Sequence, residues 1–366
     1  MPSSDSRAAG PGVKAAVLGC TGLVGQQFIR MLDGHPNFEV VTLTSSPRSA
    51  GKRYAQAVCW AAGGDVPDLA GQLEVQPGQA EVIAAGGARV VFSALPREAA
   101  ERVEPELRQL GLFVFTNASC RRLDTDVPVL VPEVNPGHLE LARGQAAAFG
   151  GAIVTNSNCS TAGLVLVLKP LLGLGLESVT VSTFQAISGA GRRGLAALDI
   201  AANVIPFIRD EEEKMSRESL KILGRLEAGR VEAAALEVNA SCGRVPVADG
   251  HLLSLRLDFS RIVDKETIER ALAEFRGLPQ ELSLPSAPEQ PLIIRAEEDR
   301  PQPVLDALAG RPEKARGMAV SVGRVRAKGS TANCWALVHN TIRGAAGNCL
   351  LAAELALRQG LIRRED

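Results

Sequence analysis

Val13-Lys14-Ala15-Ala16-Val17-Leu18-Gly19-Cys20-Thr21-Gly22-Leu23-Val24-Gly25-Gln26-Gln27-Phe28-Ile29-Arg30-Met31-Leu32 decides the fold. Val13 to Leu18 is a short apolar run of strand length, Gly19 to Gly25 a glycine turn, and Gln26 to Leu32 an apolar-periodic helix. Glycines at 19, 22 and 25 let the backbone turn tightly and approach a pyrophosphate, which then sits on the positive end of the following helix. The turn, including Thr21, Leu23 and Val24, is therefore a candidate dinucleotide cradle.

Outward from this unit, strands are expected at Glu39 to Thr44, Arg89 to Ala94 and Leu112 to Thr116, with a helix at Arg97 to Leu110. Short strands apolar on both faces, alternating with helices, imply a parallel sheet covered on both sides. Past residue 157 the rhythm changes. Val179 to Ile187, Ala235 to Ala240, His251 to Phe259 and Met318 to Val325 alternate apolar with polar, as in a sheet with one covered face. Arg209 to Leu223 reads as a charged helix, proline-rich Leu278 to Pro291 as a surface loop, and strand Trp335 to His339 leads to an apolar helix ending near Leu357.

The 366 residues suffice for two domains, and the formal net charge of -1 gives no electrostatic reason to expect nucleic acid or an anionic membrane as partner. No apolar stretch approaches the roughly 18 residues of a membrane span. Residues 1–12, small and polar, read as a disordered tail without the apolar core of a signal peptide. Seven scattered cysteines, with no CxxC pair and no histidine at ligand spacing, suit free thiols in a reducing cytoplasm, with no metal site.

One cysteine has chemistry in its setting. Strand Gly151 to Val154 gives way through Asn156-Ser157-Asn158-Cys159-Ser160-Thr161 to the apolar run Leu164 to Leu168. At a helix start, free N–H groups of the first turn lower a thiol pKa and offer donors to an oxyanion. His251, leading into a strand, is the candidate proton acceptor, and Arg244 can present a fork to a carboxylate. Glu211 and Lys214, three apart, share a helix side, while Gln185 ends a strand before the small-residue turn Ser188-Gly189-Ala190-Gly191. At the end of the second strand Thr44-Ser45-Ser46-Pro47-Arg48-Ser49 has hydroxyls and an arginine where an NAD site usually has a carboxylate, which favours NADP.

Taken together, Thr155 to Thr161, Gln185 to Gly191, Glu211 to Lys214 with Lys221 to Gly224, and Arg244 to His251 resemble aspartate-semialdehyde dehydrogenases of the archaeal and fungal branch. The resemblance runs from the glycine turn to Arg343-Gly344-Ala345-Ala346-Gly347. It implies an α/β fold: an N-terminal Rossmann-type parallel sheet (13–156) that binds NADP, an α+β catalytic and dimerisation domain (157–340), and a C-terminal helix (341–366) returning to the first domain. It implies Cys159 as nucleophile beside Asn158, His251 as acid/base, and Gln185 orienting the reacting carbonyl. Arg244 and Glu211 would hold the substrate carboxylate and amino group; Lys214, Asn117, Ser119 and Arg122, with Arg121 as a rival, would hold phosphate. Gly19, Gly22, Ser45, Ser46, Arg48, Ser49, Ser188 to Gly191, Asn340 and Thr341 would meet the cofactor.

The implied activity is NADPH-dependent reductive dephosphorylation of L-aspartyl 4-phosphate through a cysteine thioester, serving lysine, threonine, methionine and isoleucine synthesis, in a cytoplasmic homodimer or homotetramer. Gly243 stands where relatives commonly have Asn, which touches the placement of Arg244. The rivals are a malonyl-CoA reductase on the same scaffold, a more distant N-acetyl-glutamyl-phosphate reductase, and a non-catalytic NADP-binding regulator.

Overall fold

A computed structural model describes residues 12–191 and 194–364. The tail expected at 1–12 falls, apart from Gly12, outside them. Six strands, β1 (Val13–Leu18), β2 (Phe38–Thr44), β3 (Val75–Gln76), β4 (Val90–Ser93), β5 (Phe113–Thr116) and β6 (Ala152–Thr155), form one parallel sheet in the order β3-β2-β1-β4-β5-β6. Alternate residues of β1 serve different cores: Ala15 and Val17 pack with Phe28 and Ile29 of α1 (Leu23–Leu32), whereas Ala16 and Leu18 pack with Val103 and Leu107 of α2 (Arg97–Gln109). Helix α3 (Leu139–Phe149) joins the α1 side. Covered on both faces, these strands are mostly apolar, with Lys14 and Glu39 as exposed exceptions near strand starts, and this is a Rossmann-type sheet. The strand order reverses beside β1, so the glycine turn lies at the carboxyl-end crevice where such sheets take ligands.

The second sheet is mixed. Strands β7 (Leu176–Gln185), β10 (Glu237–Arg244), β11 (His251–Phe259), β12 (Leu292–Arg295), β13 (Val320–Lys328) and β14 (Thr331–Val338) run in the order β10-β7-β11-β14-β13-β12, with a small separate hairpin of β8 (Arg225–Glu227) and β9 (Arg230–Glu232). Helices α4 (Cys159–Leu171), α5 (Glu211–Leu223) and α6 (Lys265–Glu274) bury their apolar stripes on one face, Leu164, Met215 and Ile268 meeting Val181 and Leu255 in one core. On the sheet, exposed Phe184 stacks on Trp335 with ring centroids 5.8 Å apart.

Leu278 to Pro291 corrects the sequence reading of a surface loop. It opens with a helical turn, Leu278–Glu281, and buries Leu284, Ser286 and Ala287 against the first domain. Proline-rich composition signals irregular backbone, which this is, but the backbone is tied down: buried Glu354 accepts from the Ser286 N–H and hydroxyl and pairs with His35. Glu354 belongs to α7 (Gly347–Arg358), whose Leu350, Leu351 and Leu355 return to the core of the first domain. Among the described residues no helix is long and apolar enough to cross a membrane, and no two cysteines form a disulfide.

Candidate active site

The nucleophile candidate stands where β6 hands over to α4. Asn158 is the helix N-cap, its Oδ1 accepting from the N–H groups of Ser160 (2.9 Å) and Thr161 (3.2 Å), while its carbonyl accepts from Ala162. This corrects the expectation of free first-turn donors around the sulfur. The cap engages them, the Ser160 N–H being shared between Asn158 and the thiol, and leaves the Cys159 N–H as the first-turn donor with no acceptor among the described residues. Cys159 itself begins the helix, directly beneath a π-helical turn, Ile342–Ala346. There Gly344 is obligatory: a Cβ on it would lie 2.6 Å from the Cys159 Cβ. Asn156 locks the two segments, donating to Asn117 Oδ1 (2.8 Å) and the Gly344 carbonyl (2.9 Å) and accepting from Asn348 (2.7 Å).

A cleft of about 340 Å³ opens on the thiol. It joins Gly22, Leu23 and Val24 of the glycine turn to Asn117, Arg122, Asn158 and Cys159, with Ser188, Gly189, Gly191, Asn340 and Thr341 on the facing wall. The wall is tied to the catalytic strand, because Asn340 accepts from the Gly250 N–H (2.9 Å) and donates to Ser188 Oγ (2.8 Å). The residues fit a dinucleotide: a Cβ on Gly25 would be driven into the Gly19 carbonyl, so only glycine lets α1 start close enough to present its N–H groups. Ser45, Ser46, Arg48 and Ser49 lie outside the cleft walls, beyond the turn, with Ser45 Oγ 2.6 Å from Thr21 Oγ1 and Arg48 exposed. A larger groove of about 940 Å³ behind His339 holds neither the glycine turn nor a thiol.

Behind the thiol is a bonded network. Glu211 Oε1 accepts from Asn158 Nδ2 (2.8 Å) and Gln185 Nε2 (2.9 Å), and Arg244 donates to the Ala186 carbonyl (2.8 Å). Burial, with the Glu211 carboxylate adding to it, pushes the Cys159 thiol up to about 12; Arg122, Arg244 and the Ser160 N–H oppose this and lose. The expectation of a lowered thiol pKa is thus corrected for the free protein. Fully buried His251 is pushed down to about 3, by burial first and then by Arg244 and His339. Its Nδ1 accepts the Ala186 N–H (3.0 Å), which assigns the proton of the neutral ring to Nε2, buried and without a partner among the described residues. In this arrangement His251 is a donor, not the acceptor of the thiol proton that its sequence setting suggests.

Between the two arginines the geometry is unambiguous. Arg122 reaches the cleft, whereas Arg121 turns away to Asp124 (3.2 Å). Arg122 donates to the Asn117 carbonyl (2.9 Å) and to Glu218 (2.8 Å), and it is the common wall of a second pocket of about 230 Å³ that includes Ser119 and Lys214. Lys214 and Ser119 are therefore one arginine removed from the thiol, not beside it. Glu218, Asn156 and Gly344 escaped the sequence reading. Glu218 carried a usable signal, since it lies two helical turns beyond Glu211 on the same face of α5.

Known proteins are similar to this chain over nearly its whole length. Residues 14–142 match the family model of the semialdehyde dehydrogenase NAD binding domain, and 168–343 that of the semialdehyde dehydrogenase dimerisation domain. The aspartate-semialdehyde dehydrogenase of Archaeoglobus fulgidus is 46% identical over 349 residues, covering 94% of this chain and 98% of that protein. That of Schizosaccharomyces pombe is 39% identical, covering 95% and 99%. The crystal structure of the Candida albicans aspartate-semialdehyde dehydrogenase with NADP superposes with a TM-score of 0.86 at 38% identity, over 95% of this chain and 99% of that one. The chain belongs to the aspartate-semialdehyde dehydrogenase family.

Proposed function

We propose that this protein reduces L-aspartyl 4-phosphate to L-aspartate 4-semialdehyde with NADPH, releasing phosphate, in the synthesis of lysine, threonine, methionine and isoleucine. The observation that carries the reading is the single cleft in which the glycine turn, Cys159 and Arg122 meet. Cys159 attacks the acyl carbon as the thiolate, the C–O bond to phosphate breaks as the thioester forms, and the departing phosphate carries off the thiol proton. The nicotinamide, when bound, supplies the hydride that reduces this thioester. The Cys159 N–H and the Nε2–H of His251 are the donors for the oxygen that gains charge. Gln185 and Asn158 hold Glu211, which receives the substrate amino group; Arg244 receives its carboxylate. An ammonium brought to Glu211 offsets the charge that helps to raise the Cys159 thiol, so substrate binding itself favours the thiolate.

Arg122 takes the leaving phosphate, with Lys214, Ser119 and Asn117 behind it. Ser45, Ser46, Arg48 and Ser49, at the end of β2, select NADP by meeting its 2'-phosphate. Ser188 to Gly191, Asn340 and Thr341 border the nicotinamide side. The protein works as a homodimer or homotetramer, and Phe184 stacked on Trp335 offers an apolar face to a second copy. NADPH formation from aspartate semialdehyde plus phosphate tests the reading, with NADH formation and malonyl-CoA reduction measured alongside. Activity surviving in Cys159→Ala, or malonyl-CoA as the better substrate, overturns it.

A further inference from the structure

Four charged residues of α5, Glu211, Lys214, Glu218 and Lys221, follow one side of the helix, and two of them clamp the Arg122 loop. Lys221 donates to the carbonyls of Arg122 (2.8 Å), Asp124 (2.7 Å) and Val127 (2.8 Å), fixing the backbone. Glu218 fixes the side chain. It is 2% exposed; one carboxylate oxygen accepts from Arg122 Nη1 at 2.8 Å and the other from the main-chain N–H of Asn158 at 2.6 Å. A single carboxylate thus joins the arginine on the cleft wall to the residue that caps the nucleophile's helix.

Building on the functional reading above, we propose that Glu218 is a positioning residue that serves as the counter-charge of the phosphate site: it aims Arg122 while weakening its hold on phosphate enough for the product to leave. The sign of the charges makes the case. An arginine meeting phosphate with no carboxylate on it would bind the anion strongly, and this site must release the anion every turnover. Glu218 lines the second pocket together with Arg122 and Lys214, so a phosphate there feels its negative charge directly. The Asn117 carbonyl still holds Arg122 when Glu218 is neutral, so loss of the charge does not set the guanidinium adrift. Its Nη1 and Nη2 are both engaged, by Glu218 and the Asn117 carbonyl, so the guanidinium meets an anion with its direction already set.

In the full-length protein saturated with NADP, inorganic phosphate binding is measured by titration calorimetry for wild type, Glu218→Gln and Glu218→Ala. Removing one repelling charge about 6 Å away should tighten phosphate by about 10²-fold or more at an effective dielectric near 20. In the biosynthetic direction kcat should fall and phosphate should inhibit more strongly, while the KM for NADPH stays unchanged. A merely structural Glu218 gives the opposite sign, weaker phosphate in both variants, and that result overturns the proposal, as does unchanged affinity. Gln keeps an acceptor for the Asn158 N–H and Ala does not; the charge effect is common to both, so either variant that folds decides it. Wild-type protein that binds phosphate but does not oxidise aspartate semialdehyde overturns the functional reading alone.

Discussion

Glu104 offers a test in which pH, not mutation alone, supplies the evidence. It is fully buried in α2, with Oε1 accepting the Thr116 hydroxyl at 2.6 Å and Oε2 without a partner. Burial raises its pKa from 4.5 to about 7, against smaller opposing effects of Thr116, Ser93 and Arg121. A carboxyl whose pKa is raised on folding holds its proton more tightly in the native state, so its contribution is fully present below the unfolded value and is lost as pH rises through the folded one. Between pH 5 and pH 8 that loss comes to about 2–3 kcal/mol. Glu104→Gln keeps an acceptor for Thr116 and has no proton to lose. Thr116 Oγ1 also accepts the Ala118 N–H, so the Asn117 loop stays anchored. The variant should therefore gain about 2–3 kcal/mol on wild type between pH 5 and pH 8. Urea unfolding followed through Trp60, in a Trp335→Phe background, reports the domain that contains Glu104. Parallel pH profiles of the two proteins would refute the argument.

The cleft gives three further expectations. Alkylation of Cys159 in the free protein, read by peptide mass spectrometry, should rise about tenfold per pH unit through pH 9, because the thiol stands near 12; a plateau near neutrality contradicts this. Gly344→Ala should cut kcat by about 10² or more with NADP binding retained, since the new methyl displaces Cys159; near-normal turnover would mean that the π-helical turn does not position the thiol. Arg343, fully buried, forms a paired contact with Glu133, and Glu133→Gln should cost about 3–5 kcal/mol by leaving the guanidinium uncompensated; denaturant midpoints within error of wild type would exclude that.

Much of the fold was legible because its signals are local. Val13 to Leu18 and His251 to Phe259 coincide with strands, and the charged stretch before Leu223 is the helix α5. What the sequence hid is partnership across distance. Glu218 meets Arg122 and Asn158 from 96 and 60 residues away, so its place on the Glu211 side of α5 is a local sign of the residue but not of its partners. The strap at Leu278 to Pro291 looked exposed because its anchor, Glu354, lies far along the chain. For the thiol, the helix-start argument was sound in its electrostatics and incomplete in its accounting: Asn158 spends the very donors it counted on.

The return of α7 to the first domain carries a consequence for how the molecule is made. Leu350, Leu351 and Leu355 fill the same core as Val17 and Phe92. The nucleotide cradle is encoded in two places: its sheet leaves the ribosome before the second domain does, yet its hydrophobic interior closes only when α7, which follows that domain, is free of the exit tunnel. Until then the second domain must fold beside a partner with an open flank, and truncation at the far end of the chain damages the cofactor site at the near end.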